Sequence, residues 1–301
     1  MSMDNGQLVA LPASPQVFSS INRGERWSDL LFRSLLWGFG CLGFLLPAAI
    51  VGFLIVGGGS RLTWNFVSDF PKGVPLGSTG GILPAIQGSL SLAVLGLCIA
   101  TPLAFGGGIY LAEFARHSRF SQIIRFVIEC LVAVPSVIYG LFGYAFLVLF
   151  FKFGISLLAG GITLAMIMFP IMLIAVQESL QRVDDSYREA ALALGVTNSY
   201  LVQRVLLPRA WPGIVAGMVL AVGHAVGSAA PVLFTASVYF TKGSPKLADP
   251  VMTLPTHLYH LVSEAISEEQ AFGTALVLVF GFLIFNFSAL LLRKLGSFSW
   301  R

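Results

Sequence analysis

Charge is what this 301-residue chain has least of: 11% of its residues are Asp, Glu, Lys or Arg, where an ordinary soluble domain carries about 25%. With 56% hydrophobic residues and a mean hydropathy of +0.85, a soluble fold is excluded, because its apolar patches would exceed what a soluble monomer tolerates. Cysteine is scarce as well. Cys41, Cys98 and Cys130 lie far apart, in or at the ends of apolar runs, so neither a disulfide framework nor a zinc site is indicated. The chain has no G-x-x-x-x-G-K-[ST], so no P-loop handles ATP in this polypeptide. The long apolar runs hold almost no Asp, Glu or Lys. A secondary transporter or channel would share the hydropathy, but proton-coupled carriers place such residues inside the membrane. An intramembrane enzyme needs a nucleophile and a base side by side, and His224, the one ionisable group deep in a run, has no acidic companion in the sequence. The polar first 33 residues and the length of the first apolar run argue against a cleavable leader.

What is present is a set of six apolar runs near the roughly 20 residues that cross a bilayer: 35–56, 83–112, 126–151, 155–176, 213–240 and 271–292. They predict an all-α membrane protein, with a cytoplasmic N-terminal segment over 1–33 and a transmembrane domain over 34–301. The second run is entered through "GVPLGSTGGILPA", whose Gly and Pro read as a loop, and the third carries Glu129 near one end. With the N-terminus inside, the inner segments hold Arg23, Arg26, Arg33, Arg116, Arg119, Arg125, Arg182, Arg188, Arg204, Arg209, Arg293, Lys294 and Arg301. The outer ones hold Arg61, Lys72, Lys152, Lys242 and Lys246. Such a bias places both termini of a multi-pass protein in the cytoplasm. The net charge of +4 is thus topology, and no nucleic-acid partner is inferred from it. Pro102, Pro135, Pro170 and Pro231, with the glycine run at 106–108, fit bent helices around a pathway, since membrane helices tolerate such residues where neighbours or a cavity satisfy the backbone.

One polar stretch interrupts this pattern. "SYREAALALGVTNSYLVQRVLLP", residues 186–208, lies in the longest cytoplasmic loop, 177–211. Ser186 with Glu189 reads as a capping box, Ala190 to Leu194 are strong helix formers, and Gly195 offers a left-handed stop. A second helix is expected from Thr197 or Asn198 to just before Pro208. This elbow reads either as a surface helix covering the ends of the bundle or as an amphipathic docking element for a partner.

The spacing Glu189-Ala190-Ala191, three residues, Gly195, then Leu207-Pro208 resembles the EAA loop of bacterial ABC importer permeases. Val205 stands where that pattern usually has Ile. "GGILPAIQGSL", "IYLAEFA", "VPSVIYGLFGY" and "APVLFTA" further resemble the PstA-type permeases of phosphate importers, over about residues 62–292. The resemblance implies the six-span, type I, MetI-like fold with a cytoplasmic coupling helix, in a bacterial inner membrane. It implies Glu189, Ala190, Ala191, Gly195, Leu207 and Pro208 as the ATPase-coupling residues. The partners it implies are a PstC-like sister permease, a PstB-like ATPase dimer that uses ATP and Mg, a PstS-like phosphate-binding protein outside, and membrane lipid. This chain itself would hold no cofactor and catalyse nothing.

The sequence departs from that family at three charged positions and one hydroxyl position. The family carries an Arg after the fourth-span Pro and reads R-A-x-G-E-T-A-P in the fifth span; here Ile174, His224 and Ser228 stand at the Arg, Arg and Glu positions, with Ala229 for Thr. His224, Ser228 and Pro231 are the expected pathway residues, with close helix packing as the other reading of Ser228. The departures leave another oxyanion open as cargo. Hydroxyls and helix-end fields would suffice for passage without tight binding. His257 and His260 of "HLYH" are one helical turn apart but too few for a metal site. Asp249, Glu264, Glu268 and Glu269 give the same outer loop an acidic side, either a solvated face or a meeting place for a binding protein.

Overall fold

The computed structural model describes residues 23–116, 118–241 and 245–298, with side chains described from 29 onward except 289–290 and 292–298. Most of the N-terminal segment, together with Lys242 and Arg301, lies outside the described residues. The chain forms two compact units, Met1–Phe53 and Leu54–Arg301. The first contains most of α1 (Arg23–Gly58), an apolar helix whose side chains from 29 to 50 are all exposed.

The second unit holds the rest of the helices. In order they are α2 (Trp64–Ser68), α3 (Leu83–Ile109), α4 (Arg119–Ala133), α5 (Ser136–Gly143), α6 (Leu157–Gln181), α7 (Ser186–Ala193), α8 (Asn198–Tyr200), α9 (Leu207–Gly227), α10 (Ala229–Thr235), α11 (Leu254–Ser263) and α12 (Glu268–Phe298). Wider π turns extend α3 through Tyr110–Phe114, extend α5 through Tyr144–Phe150, and join α8 to α9 through Leu201–Leu206. A two-residue hairpin, β1 (Pro71–Lys72) against β2 (Thr79–Gly80), pairs Pro71 with Gly80.

Among the described residues, five helices are long and apolar enough to cross a membrane, and six crossings result if the bent pair α4–α5 is one span. The third span expected over 126–151, with Pro135 among the prolines expected to bend helices, is two helices meeting at 94°. The break falls at Pro135: its ring disfavours helical geometry at Val134, which turns to φ −69°, ψ 126°, and α4 stops at Ala133. The expected fifth span, 213–240, is shifted toward the N-terminus. A helical stretch runs from Asn198 to Gly227 and ends at Ser228, where ψ is 109°. The expected stop before Pro208 does not occur: the helical stretch runs through it, and the π turn Leu201–Leu206 directly before α9 widens the backbone where the ring sits.

The core lies among α3, α6 and α9. Leu92, Ala100 and Ala104 of α3 pack with Leu164, Met168 and Met172 of α6 and with Ala221 and Ala225 of α9. Small residues set the spacing: a methyl group at Gly108 would lie 2.7 Å from the Val176 side chain, and one at Gly107 would lie 2.9 Å from Leu173. Lipid is as apolar as these side chains, so close packing holds membrane helices together rather than exclusion of water.

Candidate functional site

The elbow begins one residue earlier than expected. Asp185, not Ser186, precedes the first turn of α7, and Asp184 Oδ1 accepts the Ser186 backbone N–H at 2.8 Å. The expected capping box is therefore absent: Asp184 takes the Ser186 N–H and the Asp185 carbonyl takes the Glu189 N–H at 3.0 Å, and the Ser186 bonds hold the Asp184 carboxyl below the usual carboxylate range. At the other end Gly195 adopts φ +68°, the left-handed stop expected of it, with nothing within 4 Å of where a side chain would begin.

The six coupling candidates divide between two faces. Ala191 is buried and joins a small core with Leu180, Leu201, Val202, Leu206 and Ile214. Glu189, Ala190 and Gly195 are exposed, while Leu207 and Pro208 are half-buried. Leu192 and Leu194, 65% and 80% exposed, add an apolar patch to the outer face of α7, beyond any candidate span.

Below that face lies a charge network that the sequence did not reveal. Arg188 is 11% exposed and Glu113, on the π turn ending α3, is 10% exposed. The guanidinium donates to both Glu113 oxygens, Nε to Oε2 at 3.1 Å and Nη2 to Oε1 at 2.6 Å. Its other donors reach the Leu180 carbonyl at 2.9 Å, the Val183 carbonyl at 2.8 Å and Asp185 Oδ1 at 2.9 Å. All five guanidinium N–H groups are thus used, and the Glu113 bonds raise the Arg188 pKa further above its already high value. Arg116 adds a second tie, 2.8 and 3.3 Å to the two Asp185 oxygens, and holds that carboxyl below its usual range. One signal in sequence was available: Glu113 is an acid at the end of an apolar run on the same side of the predicted topology as Arg188.

The pathway candidates sit at a second break. Ser228 is extended between α9 and α10, and its hydroxyl donates to the His224 carbonyl at 2.9 Å, a bond that satisfies a carbonyl freed by the helix end. The His224 side chain is exposed, whereas Ile174 is partly buried against the main core. Ser228 and His224 are thus joined through a backbone carbonyl, while Ile174 lies on α6. Pro231 is buried, and a methyl group at Gly140 of α5 would lie 2.7 Å from Pro231 Cα. The break at Pro135 and the break at Ser228 are therefore linked through α5 packed on α10. Across the first of them, the Tyr139 hydroxyl donates to the Leu131 carbonyl at 2.9 Å.

At the opposite end, the two histidines of "HLYH" part company. His257 is buried, and burial with a smaller push from His260 lowers its pKa to about 4; His260 instead bonds Glu264 at 2.9 Å. Glu269 pairs with Arg61, and Tyr239 donates to the Leu76 carbonyl of the hairpin loop. An apolar groove of about 250 Å³ between α3, α9 and α12 offers one hydroxyl, Ser89, which is spent on the Leu254 N–H at 2.8 Å.

With this geometry in view, known proteins supply the context. The family described as binding-protein-dependent transport system inner membrane component matches residues 104–297. The chain belongs to this family. It is a membrane-spanning permease subunit of an ABC importer. A probable ABC transporter permease protein of Bacillus subtilis, YqgI, is 31% identical over 281 residues, 87% of this chain and 94% of that protein. The phosphate transport system permease protein PstA 2 of Mycobacterium tuberculosis is 34% identical over 251 residues, 79% and 83% of the two chains. PstA of Yersinia pestis is 34% identical over 249 residues, 78% and 82%, so the resemblance to PstA-type permeases extends over most of the molecule. Among solved structures, an inward-facing MetNI methionine ABC transporter matches with a TM-score of 0.57 at 19% identity, covering 72% of this chain and 94% of that one. A bacterial alginate ABC transporter bound to its periplasmic protein matches with a TM-score of 0.58 at 14% identity, covering 87% and 95%. These two likenesses establish the MetI-like permease fold.

Proposed function

We propose that this permease is the PstA-like half of an ATP-driven importer of inorganic phosphate. It would form the pathway with a PstC-like sister and receive cargo from a PstS-like binding protein outside. Both termini and α7 lie in the cytoplasm, in keeping with the distribution of Lys and Arg. A PstB-like ATPase dimer, using ATP and Mg, docks on the exposed face carrying Glu189, Ala190, Leu192 and Leu194, and this chain carries no cofactor of its own. The observation that carries the reading is the 34% identity to PstA proteins over about four-fifths of the chain. Support for the docking comes from two leucines left bare outside any span, where an amphipathic helix finds a groove on a partner.

The pathway asks little of side chains. Affinity resides in the binding protein, and the breaks at Pro135 and Ser228 interrupt the helices, leaving weak helix-end fields that release an anion as readily as they accept it. His224, Ser228 and Pro231 are the residues proposed to border the passage. A second reading, another tetrahedral oxyanion as cargo, is favoured by one observation: Ile174, His224 and Ser228 replace charged positions of the phosphate permeases. The test is ATP-driven uptake of labelled phosphate by the four-component complex in proteoliposomes, with sulfate, arsenate and molybdate as competitors. Uptake that only phosphate and its arsenate mimic inhibit is expected; a complex that hydrolyses ATP but takes up no phosphate overturns the cargo assignment and leaves the permease intact.

A further inference from the structure

The docking helix is poorly anchored by packing. Of the side chains of α7 (Ser186–Ala193), Ala191 alone is buried, and the helix is joined to its neighbours by a short turn on one side and by Gly195 on the other. An eight-residue helix held by one buried methyl group, by the Arg209 guanidinium 3.9 Å over the half-exposed Tyr187 ring and by two flexible joints would rock when pushed. It would dissipate a stroke rather than transmit it.

Arg188 changes that mechanical picture. Its side chain touches three elements at once: Glu113 at the end of α3, the Leu180 carbonyl in the last turn of α6, and Asp185 at the start of α7. The contacts to Glu113 are bidentate and nearly buried, so a planar fork fixes orientation as well as distance. The carbonyls of Leu180 and Val183 receive a cation at a helix C-terminus, where the helix field favours one. Further along, Gly107 and Gly108 seat α3 directly against Leu173 and Val176 of α6, so a displacement delivered to Glu113 moves both helices. Arg116 to Asp185 is a parallel tie, but Asp185 is 59% exposed, and exposed pairs contribute little.

We propose that Arg188 and Glu113 are positioning residues that lock α7 to the ends of α3 and α6, so that closure of the ATPase moves the three as one body. This rests on the reading of α7 as the docking helix and goes beyond it by naming the route by which motion leaves that helix. An ordinary structural ion pair would stabilise the fold, and removing both partners together would restore what removing one had cost, because no buried charge is left unpaired. A transmitting pair behaves differently: once both are gone the protein folds and docks, yet the stroke is lost.

The experiment uses the intact importer in proteoliposomes, with uptake and ATP hydrolysis measured per assembled complex. Leu194→Cys, in a background where Cys41, Cys98 and Cys130 are Ser, is first cross-linked to the ATPase. Absence of a cross-link overturns the docking reading and this inference with it. With the cross-link present, the double variant Glu113→Gln, Arg188→Met is expected to assemble and hydrolyse ATP while uptake per ATP falls at least tenfold. An unchanged ratio, with docking intact, overturns the lock alone. Should the double variant fail to assemble, Arg188→Lys decides: it keeps the charge but not the fork, and about a threefold lower uptake per ATP supports the lock, whereas an unchanged ratio rejects it.

Discussion

At the α7 end of the molecule, charged side chains reach across elements that are far apart in sequence, Arg188 to Glu113 and Arg116 to Asp185. At the paired breaks the material is different: Gly140 against Pro231, and hydroxyls of Tyr139 and Ser228 turned to nearby carbonyls. The first arrangement keeps relative positions fixed, because bidentate charged bonds are strong and directional. The second keeps helices close without fixing them by charge, at the place proposed for the passage of cargo. A transporter of this kind needs both, a stiff region where force enters and a weakly binding region where cargo passes.

That contrast can be broken deliberately, and the largest effect is expected at the breaks. Gly140→Val places a side chain where Pro231 already stands. Overpacking of this kind costs about 3 kcal/mol, and the yield of monodisperse protein by size exclusion should fall tenfold or more.

Next in size is a pH effect at the opposite end from α7. His257 is folded with a pKa of about 4, against about 6.5 in an unfolded chain. The unfolded state therefore takes up a proton first as pH falls, so the stability is complete above pH 6.5 and is lost progressively toward pH 4. Allowing for water entry, the loss is about 2 kcal/mol. Thermal unfolding in detergent should show it in the wild type, and His257→Gln should flatten the slope over that window.

Gly195 sharpens the comparison because its neighbourhood is empty. Any effect of substitution there is conformational, about 1–2 kcal/mol for a side chain forced into the left-handed region. Gly195→Val should insert normally and lose about tenfold in uptake per ATP, while Gly195→Asn, which tolerates that backbone, should keep most of it. The smallest effect belongs to Ser228→Ala. Losing one hydrogen bond to the His224 carbonyl costs about 1 kcal/mol, and uptake should change less than twofold; a large drop would give that hydroxyl a direct role with cargo.

Much of this was legible in the sequence, and the remainder was hidden for physical reasons. Apolar runs marked the spans, and Gly195 marked the end of α7. Proline was an ambiguous sign: Pro102 and Pro170 lie inside unbroken α3 and α6, whereas Pro135 ends α4. The difference comes from tertiary packing, since α5 is drawn onto α10 where Gly140 admits Pro231, and no local pattern records that. Pro208 misled in the opposite direction, because a π turn absorbed it. The capping box failed because Asp184, two residues upstream, took the Ser186 N–H, and the Asp185 carbonyl took the Glu189 N–H. Arg188 and Glu113 are 75 residues apart, so only the fold could bring them together.

The most direct test of the account is a pair of spin labels at Leu194→Cys, directly after α7, and Phe114→Cys beside Glu113, both exposed, in the cysteine-free importer, with distances read nucleotide-free and with ATP trapped. The account predicts one unchanged distance distribution in the two states, since α7 and the end of α3 travel together. A shift between the states, in complexes that still couple ATP to uptake, would contradict it.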